Sequence, residues 1–211
     1  MPLKILGSGR PMRLFVAGLH GNEWKDTSSI LENIEAPKTG TLAVIPLVNK
    51  ENYISTLDDN YFIDIGQKII TAIEELEPEV YIELHSYSAE NQTKLTDPER
   101  INRVGVPAFS QLDNDVLLGS VVPYIRKKYF PMEALCLTFE IQKGNPDSKK
   151  CTALLIDRVK ELSSKEEFIK FMLQRYPEQA KKVIEDYKNF YGLQNEDLPY
   201  LQDQYMTENK K

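Results

Sequence analysis

Histidine is scarce in this chain of 211 residues, with only 2, and so are cysteine, with 2, and tryptophan, with 1. Two cysteines cannot build a disulfide framework. Cys136 sits in an apolar run and Cys151 at helix-like spacing, so both read as reduced thiols. Basic residues are in deficit, 26 Lys and Arg against 32 Asp and Glu, for a net charge of −6. That balance argues against nucleic acid as the main partner, because phosphate binding relies on clustered cations. Long hydrophobic runs are missing as well. The longest uncharged stretches, Thr39–Asn49 and Val116–Ile125, fall well short of the ~20 apolar residues of a membrane span. Met1–Phe15 carries Lys4, Arg10 and Arg13 but no apolar core of signal-peptide length. The expectation is a cytoplasmic protein with no membrane partner.

What is present fits a globular fold, with 41% hydrophobic and 27% charged residues. Leu3–Ile5 and Arg13–Leu19 read as strands joined by Gly7-Ser8-Gly9-Arg10-Pro11, whose Gly-x-Gly is turn chemistry because no third glycine or helix follows. The continuous apolar run Arg13–Leu19 marks a strand covered on both faces, and Thr41–Val48 is a second. Helices are expected over Glu23–Ile34 and Phe62–Leu76, the latter with Ile65, Ile69, Ile73 and Leu76 on one face. Asn49–Tyr61 between them reads as a polar loop. Val80–Leu84 is a short strand, Val104–Phe109 another candidate, and Asp113–Tyr129 has helical character with Pro123 as a kink or break. Leu135, Leu137, Phe139 and Ile141 alternate with Cys136, Thr138 and Glu140 as a strand requires, and Asn145-Pro146 then caps a helix.

This alternation predicts an α/β fold: a central mixed, mostly parallel sheet with helices on both faces. From Ser164, a capping box with Glu167, the pattern turns helical and highly charged, and Pro177 opens a further helix. Beyond Gly192 the chain is polar and expected to be frayed or extended. The division expected is an α/β domain over 1–163 and a helical extension with a polar tail over 164–211. That extension leaves self-association into a homo-oligomer open.

Both histidines fall in telling places. His20 directly follows the buried strand Arg13–Leu19, and His85 directly follows Val80–Leu84. If the two strands are parallel neighbours, both imidazoles emerge at the carboxyl edge of the sheet, where open α/β sheets place ligands. Glu23 follows His20 by three residues on the first turn of a helix. Two His nitrogens and a carboxylate oxygen leave one tetrahedral position of a zinc ion open, as in catalytic sites. A His-x-x-Glu alone also arises by chance, and a His at a strand end is commonly a hydrogen-bonded polar group.

The wider string decides between these. Val16-Ala17-Gly18-Leu19-His20-Gly21-Asn22-Glu23 resembles the Gly-x-His-Gly-Asn-Glu signature of zinc carboxypeptidase-like hydrolases, most closely the succinylglutamate desuccinylase and aspartoacylase branch. The resemblance covers residues 13–144 and fits an archaeal subfamily. It implies one Zn²⁺ per chain held by His20, Glu23 and, in the context Ile82-Glu83-Leu84-His85, by His85. It also implies that Glu140, in Thr138-Phe139-Glu140-Ile141-Gln142-Lys143-Gly144, is the catalytic general base and acid. A carboxylate flanked by apolar residues has its pKa raised, which suits that role.

In that family the loop after the next strand continues with an asparagine and then arginines that grip a substrate carboxylate. Asn49 matches, Asn60 matches the later asparagine, and Tyr61 stands where an arginine would fall. Tyrosine cannot supply the bidentate fork of a guanidinium. Lys94, Arg100, Arg103 and Lys143 are alternative cations. The substrate-binding residues expected are Asn49, Asn60, Arg103 and Lys143. Together these readings predict a metal-dependent amidohydrolase acting on a small molecule or peptide. The alternatives are a catalytically decayed metal- or ligand-binding protein on the same scaffold, and an interaction module using the acidic helical tail.

Overall fold

Seven strands form one sheet in the order β1-β3-β2-β4-β7-β6-β5. The structure, a computed structural model, describes residues 3–50, 53–58 and 60–194. The expected frayed segment beyond Gly192 lies almost wholly outside them. The strands are β1 (Lys4–Ser8), β2 (Met12–Ala17), β3 (Gly40–Ile45), β4 (Val80–Tyr87), β5 (Ser110–Gln111), β6 (Leu117–Ser120) and β7 (Leu135–Gln142). The four central strands β3, β2, β4 and β7 run parallel. β1 joins one edge antiparallel to β3, and β6 and β5 extend the other edge in antiparallel pairs. The α/β architecture expected from the sequence is therefore the one observed.

The helices are α1 (Trp24–Glu32), α2 (Gln67–Leu76), α3 (Gln92–Thr96), α4 (Arg100–Val104), α5 (Pro123–Tyr129), α6 (Pro146–Val159), α7 (Lys165–Arg175) and α8 (Pro177–Tyr191). They pack on both faces. On one face Phe15, Ala17, Ile82, Leu84, Leu137 and Phe139 meet α1, α6 and α7 through Leu31, Ile156 and Met172, with Ala180 of α8 in the same cluster. On the other, Leu14, Val16, Ala43 and Ile45 meet Ile69 and Ile73 of α2 and Ile125 of α5. The apolar run of β2 is thus divided residue by residue between two cores, which is why it shows no polar alternation.

Caps act as expected at two helices. The Asn145 side chain accepts from the backbone N–H groups of Asp147 and Ser148, and Ser164 accepts from that of Glu167. Glu167 in return accepts from the N–H of Ser163, one residue before the cap. Cys136 and Cys151 are both free thiols. Among the described residues, no helix is long and apolar enough to cross a membrane.

Three local expectations need correction. Val104–Phe109 is no strand: α4 ends at Val104, and Gly105 closes it in the left-handed region at φ 74°. Asp113–Tyr129 is no single helix but a turn at Asp113–Asp115, strand β6 and the short α5. Antiparallel pairing of Leu117–Ser120 with β7 outweighs the local helical pattern, and Gly119 lacks the Cβ that would stand 2.6 Å from the Phe109 ring. Finally, residues 61–66 form turns, so α2 begins only at Gln67.

Candidate metal centre and cleft

β2 and β4 are parallel neighbours in the register Ala17↔Leu84, so both histidines reach the carboxyl edge of the sheet together. β4 continues past Leu84, which places His85 within the strand, not after it. The chain leaves β2 through Gly18, at φ 58°, where a Cβ would stand 2.9 Å from Leu47 and 3.0 Å from Trp24. That sharp exit aims His20 back over the sheet edge. The Tyr61 hydroxyl, fully buried, donates to the Leu19 carbonyl at 2.7 Å and fixes the same exit. The tyrosine standing where an arginine was expected is therefore a support beneath the site.

Glu23 is the residue at the N-cap of α1, and its Oε1 accepts from the Ser86 backbone N–H at 3.3 Å, tying the helix to β4. The same oxygen lies 3.6 Å from His20 Nδ1 and 3.4 Å from His85 Nδ1. One ligand atom from each of His20, Glu23 and His85 falls within 4.8 Å of the others, and all three side chains are buried. His20 Nδ1 and Glu23 Oε2 have no hydrogen-bond partner in the protein. Orphaned buried polar atoms are costly. Converging from three elements, these atoms fit a cation with nitrogen and oxygen ligands.

Burial and mutual charge set the protonation of the three groups in the metal-free protein. Burial lowers the His20 pKa to about 4, against the pull of Glu23, so its nitrogens are free to act as ligands. Burial alone would also lower His85, but Glu23 and Glu83 carry it well above its usual value. Glu23, which burial would raise, is held below the usual carboxylate range by His85 and His20.

Glu83 was not singled out as a site residue, yet it completes the cluster. It alternates with His85 on β4, and its Oε2 lies 3.2 Å from His85 Nε2. Tyr81, two residues earlier, donates to Glu83 Oε1 at 2.8 Å, and Thr138 Oγ1 donates to Oε2 at 3.4 Å. Accepting the Nε2 proton leaves His85 Nδ1 as the ligand atom. Its signal in the sequence was a carboxylate two positions before a strand histidine, on the same face. If the cluster holds a divalent metal, Glu83→Gln is expected to lower its affinity roughly 10- to 100-fold, measured by chelator competition. Unchanged affinity would remove Glu83 from this role.

Glu140 stands directly opposite His85 in the β4–β7 pair, on the face away from Leu137 and Phe139. Burial raises its pKa to about 7; His85, Arg100 and Lys143 pull it down, and Glu23 pushes it up. Because the folded-state pKa exceeds the unfolded one, its contribution to stability is fully present below ~pH 4 and is lost as pH rises through the folded value. In metal-free protein, Glu140→Gln should therefore stabilise more at pH 8.5 than at pH 5, by about 1–3 kcal/mol. Thermal unfolding at both values measures this, and an equal effect at both would contradict the raised pKa.

These groups floor a cleft of about 570 Å³. Arg103 and Lys143 line it, as do Lys94 and Arg100, whereas Asn49 and Asn60 lie outside its lining. Asn60 instead bonds Asp58 at 3.2 Å, on the surface. The loop before Tyr61 contributes Tyr53, whose ring meets His20 edge-on at 4.9 Å between centroids. The far wall holds Val121, Val122, Phe190 and Tyr191.

The chain is 38% identical over 179 residues to the uncharacterized protein MJ0501 of Methanocaldococcus jannaschii, covering 81% of this chain and 87% of that one. Among solved structures, the Gln46His variant of the cell shape determinant protein Csd4 of Helicobacter pylori is similar with a TM-score of 0.31 and 18% identity, over 42% of this chain. The tripeptide-bound form of Csd4 gives the same TM-score at 17% identity. The chain spans only 28% of the length of either Csd4 structure. Residues 8–192 match the family described as an uncharacterized protein conserved in archaea (DUF2119), and the chain belongs to that family.

Proposed function

We propose that this protein is a zinc-dependent hydrolase of an amide bond, an N-deacylase or carboxypeptidase-like enzyme. The observation that carries the reading is the buried convergence of His20, Glu23 and His85, two of them with unpartnered ligand atoms, beside a carboxyl with a pKa of about 7. The sequence resemblance of Gly18–Glu23 supports it independently.

His20, Glu23 and His85 would hold the ion, with Glu83 fixing the orientation of His85. Zinc bound there supplies Lewis acidity, polarising the scissile carbonyl and lowering the pKa of water. Glu140 accepts the proton of the attacking water on its carboxylate as the C–O bond forms. It then returns that proton to the departing nitrogen as the C–N bond breaks, giving a carboxylic acid and an amine. Burial of this carboxyl raises its affinity for a proton in the metal-free protein, which suits a group that must take one up. The ring of Tyr53 against His20 narrows the approach to the site.

The test is metal content followed by a panel of N-acyl amino acids and short peptides. Close to one zinc per chain and hydrolysis of at least one panel member are expected. Zinc without turnover of any would favour the metal- or ligand-binding alternative, and failure to bind any divalent metal would exclude both.

A further inference from the structure

Away from the metal cluster, two cations converge on one neutral oxygen. Strand β6 stops at Ser120, opposite Leu137, so the start of β7 has no strand on that side. Helices α7 and α8 cover the gap incompletely. A cavity of about 70 Å³ remains, walled by Leu137, Phe168, Ile169, Val183 and Ile184. Arg126 of α5 and Lys165, the first residue of α7, also line it. Arg126 is only 2% exposed, and the groups it bonds are all uncharged. Nη1 donates to the Phe130 carbonyl at 2.9 Å, and Nη2 donates to the Tyr187 hydroxyl at 2.9 Å and the Met132 carbonyl at 3.1 Å. Half-buried Lys165 donates to that same Met132 carbonyl at 2.6 Å. Among the described residues, neither cation forms an ion pair. Burial, and then the charge of Arg126, lowers the Lys165 pKa to about 8, while the acid that opposes this, Glu133, is exposed.

A buried charge is ordinarily paired, and two of one sign held against a single carbonyl repel each other. An anion beside them would relieve both the desolvation and the repulsion. On its other side that anion would meet apolar walls. The cavity is several times the roughly 10–15 Å³ that one water needs, which suits a short chain and not a long one. We propose that it binds a short-chain aliphatic carboxylate, with the head group beside Lys165 and Arg126 and the chain among Leu137, Ile169 and Val183. Ser120 lines both this cavity and the cleft, but His20, Glu23, His85 and Glu140 line the cleft alone. The site therefore stands whether or not the protein is a hydrolase.

Calorimetry on the whole chain tests it, with isovalerate, its uncharged amide isovaleramide, and acetate as probes. Isovalerate is expected to bind roughly 10- to 100-fold tighter than isovaleramide, because only the acid offers a charged acceptor. It should bind at least ~10-fold tighter than acetate, which leaves the apolar walls unfilled. Lys165→Met should cost ~10-fold or more, and Lys165→Arg should restore most of the affinity. Val183→Phe, which fills the cavity and leaves both cations in place, should abolish binding. Circular dichroism confirms that each variant is folded, and either variant preserves the test if the other is not. Chelator treatment and His20→Ala should leave the isovalerate affinity unchanged. No binding of isovalerate, or equal binding of acid and amide, overturns the site. So does affinity that survives in both Lys165→Met and Val183→Phe. Affinity lost on chelation would put the carboxylate on the metal and overturn it as well.

Discussion

Glu140→Gln is expected to retain one zinc per chain and to lose at least ~100-fold in kcat, with KM little changed. The substitution keeps the shape of the side chain but removes its ability to accept a proton. No histidine is left to take over, because the chain has 2 and both belong to the candidate metal cluster. Glu23 and Glu83 are already engaged with His85. Loss of zinc together with activity in this variant would instead make Glu140 a part of the metal centre. Activity within a few-fold of wild type would leave the proposed proton carrier without a role.

Zinc should also stabilise the fold strongly. With free zinc at 1,000 times its Kd, linkage gives about 4 kcal/mol, or roughly 8–16 °C in Tm for a chain of this size. The gain is expected because His20 Nδ1 and Glu23 Oε2 are buried without partners in the protein. Differential scanning of chelator-treated protein with and without zinc measures it. His20→Ala and His85→Ala should each abolish the zinc-dependent shift while the metal-free proteins still unfold cooperatively. A shift preserved in both variants would place the metal elsewhere.

The sheet and the histidines were legible because their signals are local and redundant. The apolar run of β2, the alternation in β7 and the cap at Asn145 each have one dominant physical reading. The segment 104–129 was not legible, because its structure is decided by pairing with β7 and by the packing of Phe109 at Gly119. The hints present were Asn114 and Asp115, residue types that tolerate the positive φ of 53° and 58° they adopt. Arg100 was legible only as one of four alternative cations; its stacking on Phe109 and its bond to the Pro107 carbonyl are contacts that no periodicity encodes. Tyr61 shows the reverse case, where a break in a motif was visible but its meaning, a hydroxyl holding Leu19 from beneath, required the fold.

The two faces of β4 and β7 carry one more consequence. Their residues on one side are apolar except for Ser86 near the end of β4, while the other presents Tyr81, Glu83 and His85 beside Cys136, Thr138 and Glu140. Sliding β7 by a single residue would invert its sides and drive Glu140 into the packed interior among Leu84, Ile156 and their neighbours. Hydrophobic pattern and ionisable column therefore penalise the same error. The groups proposed for chemistry double as an index mark, so that only a correctly aligned pair of central strands can close the core.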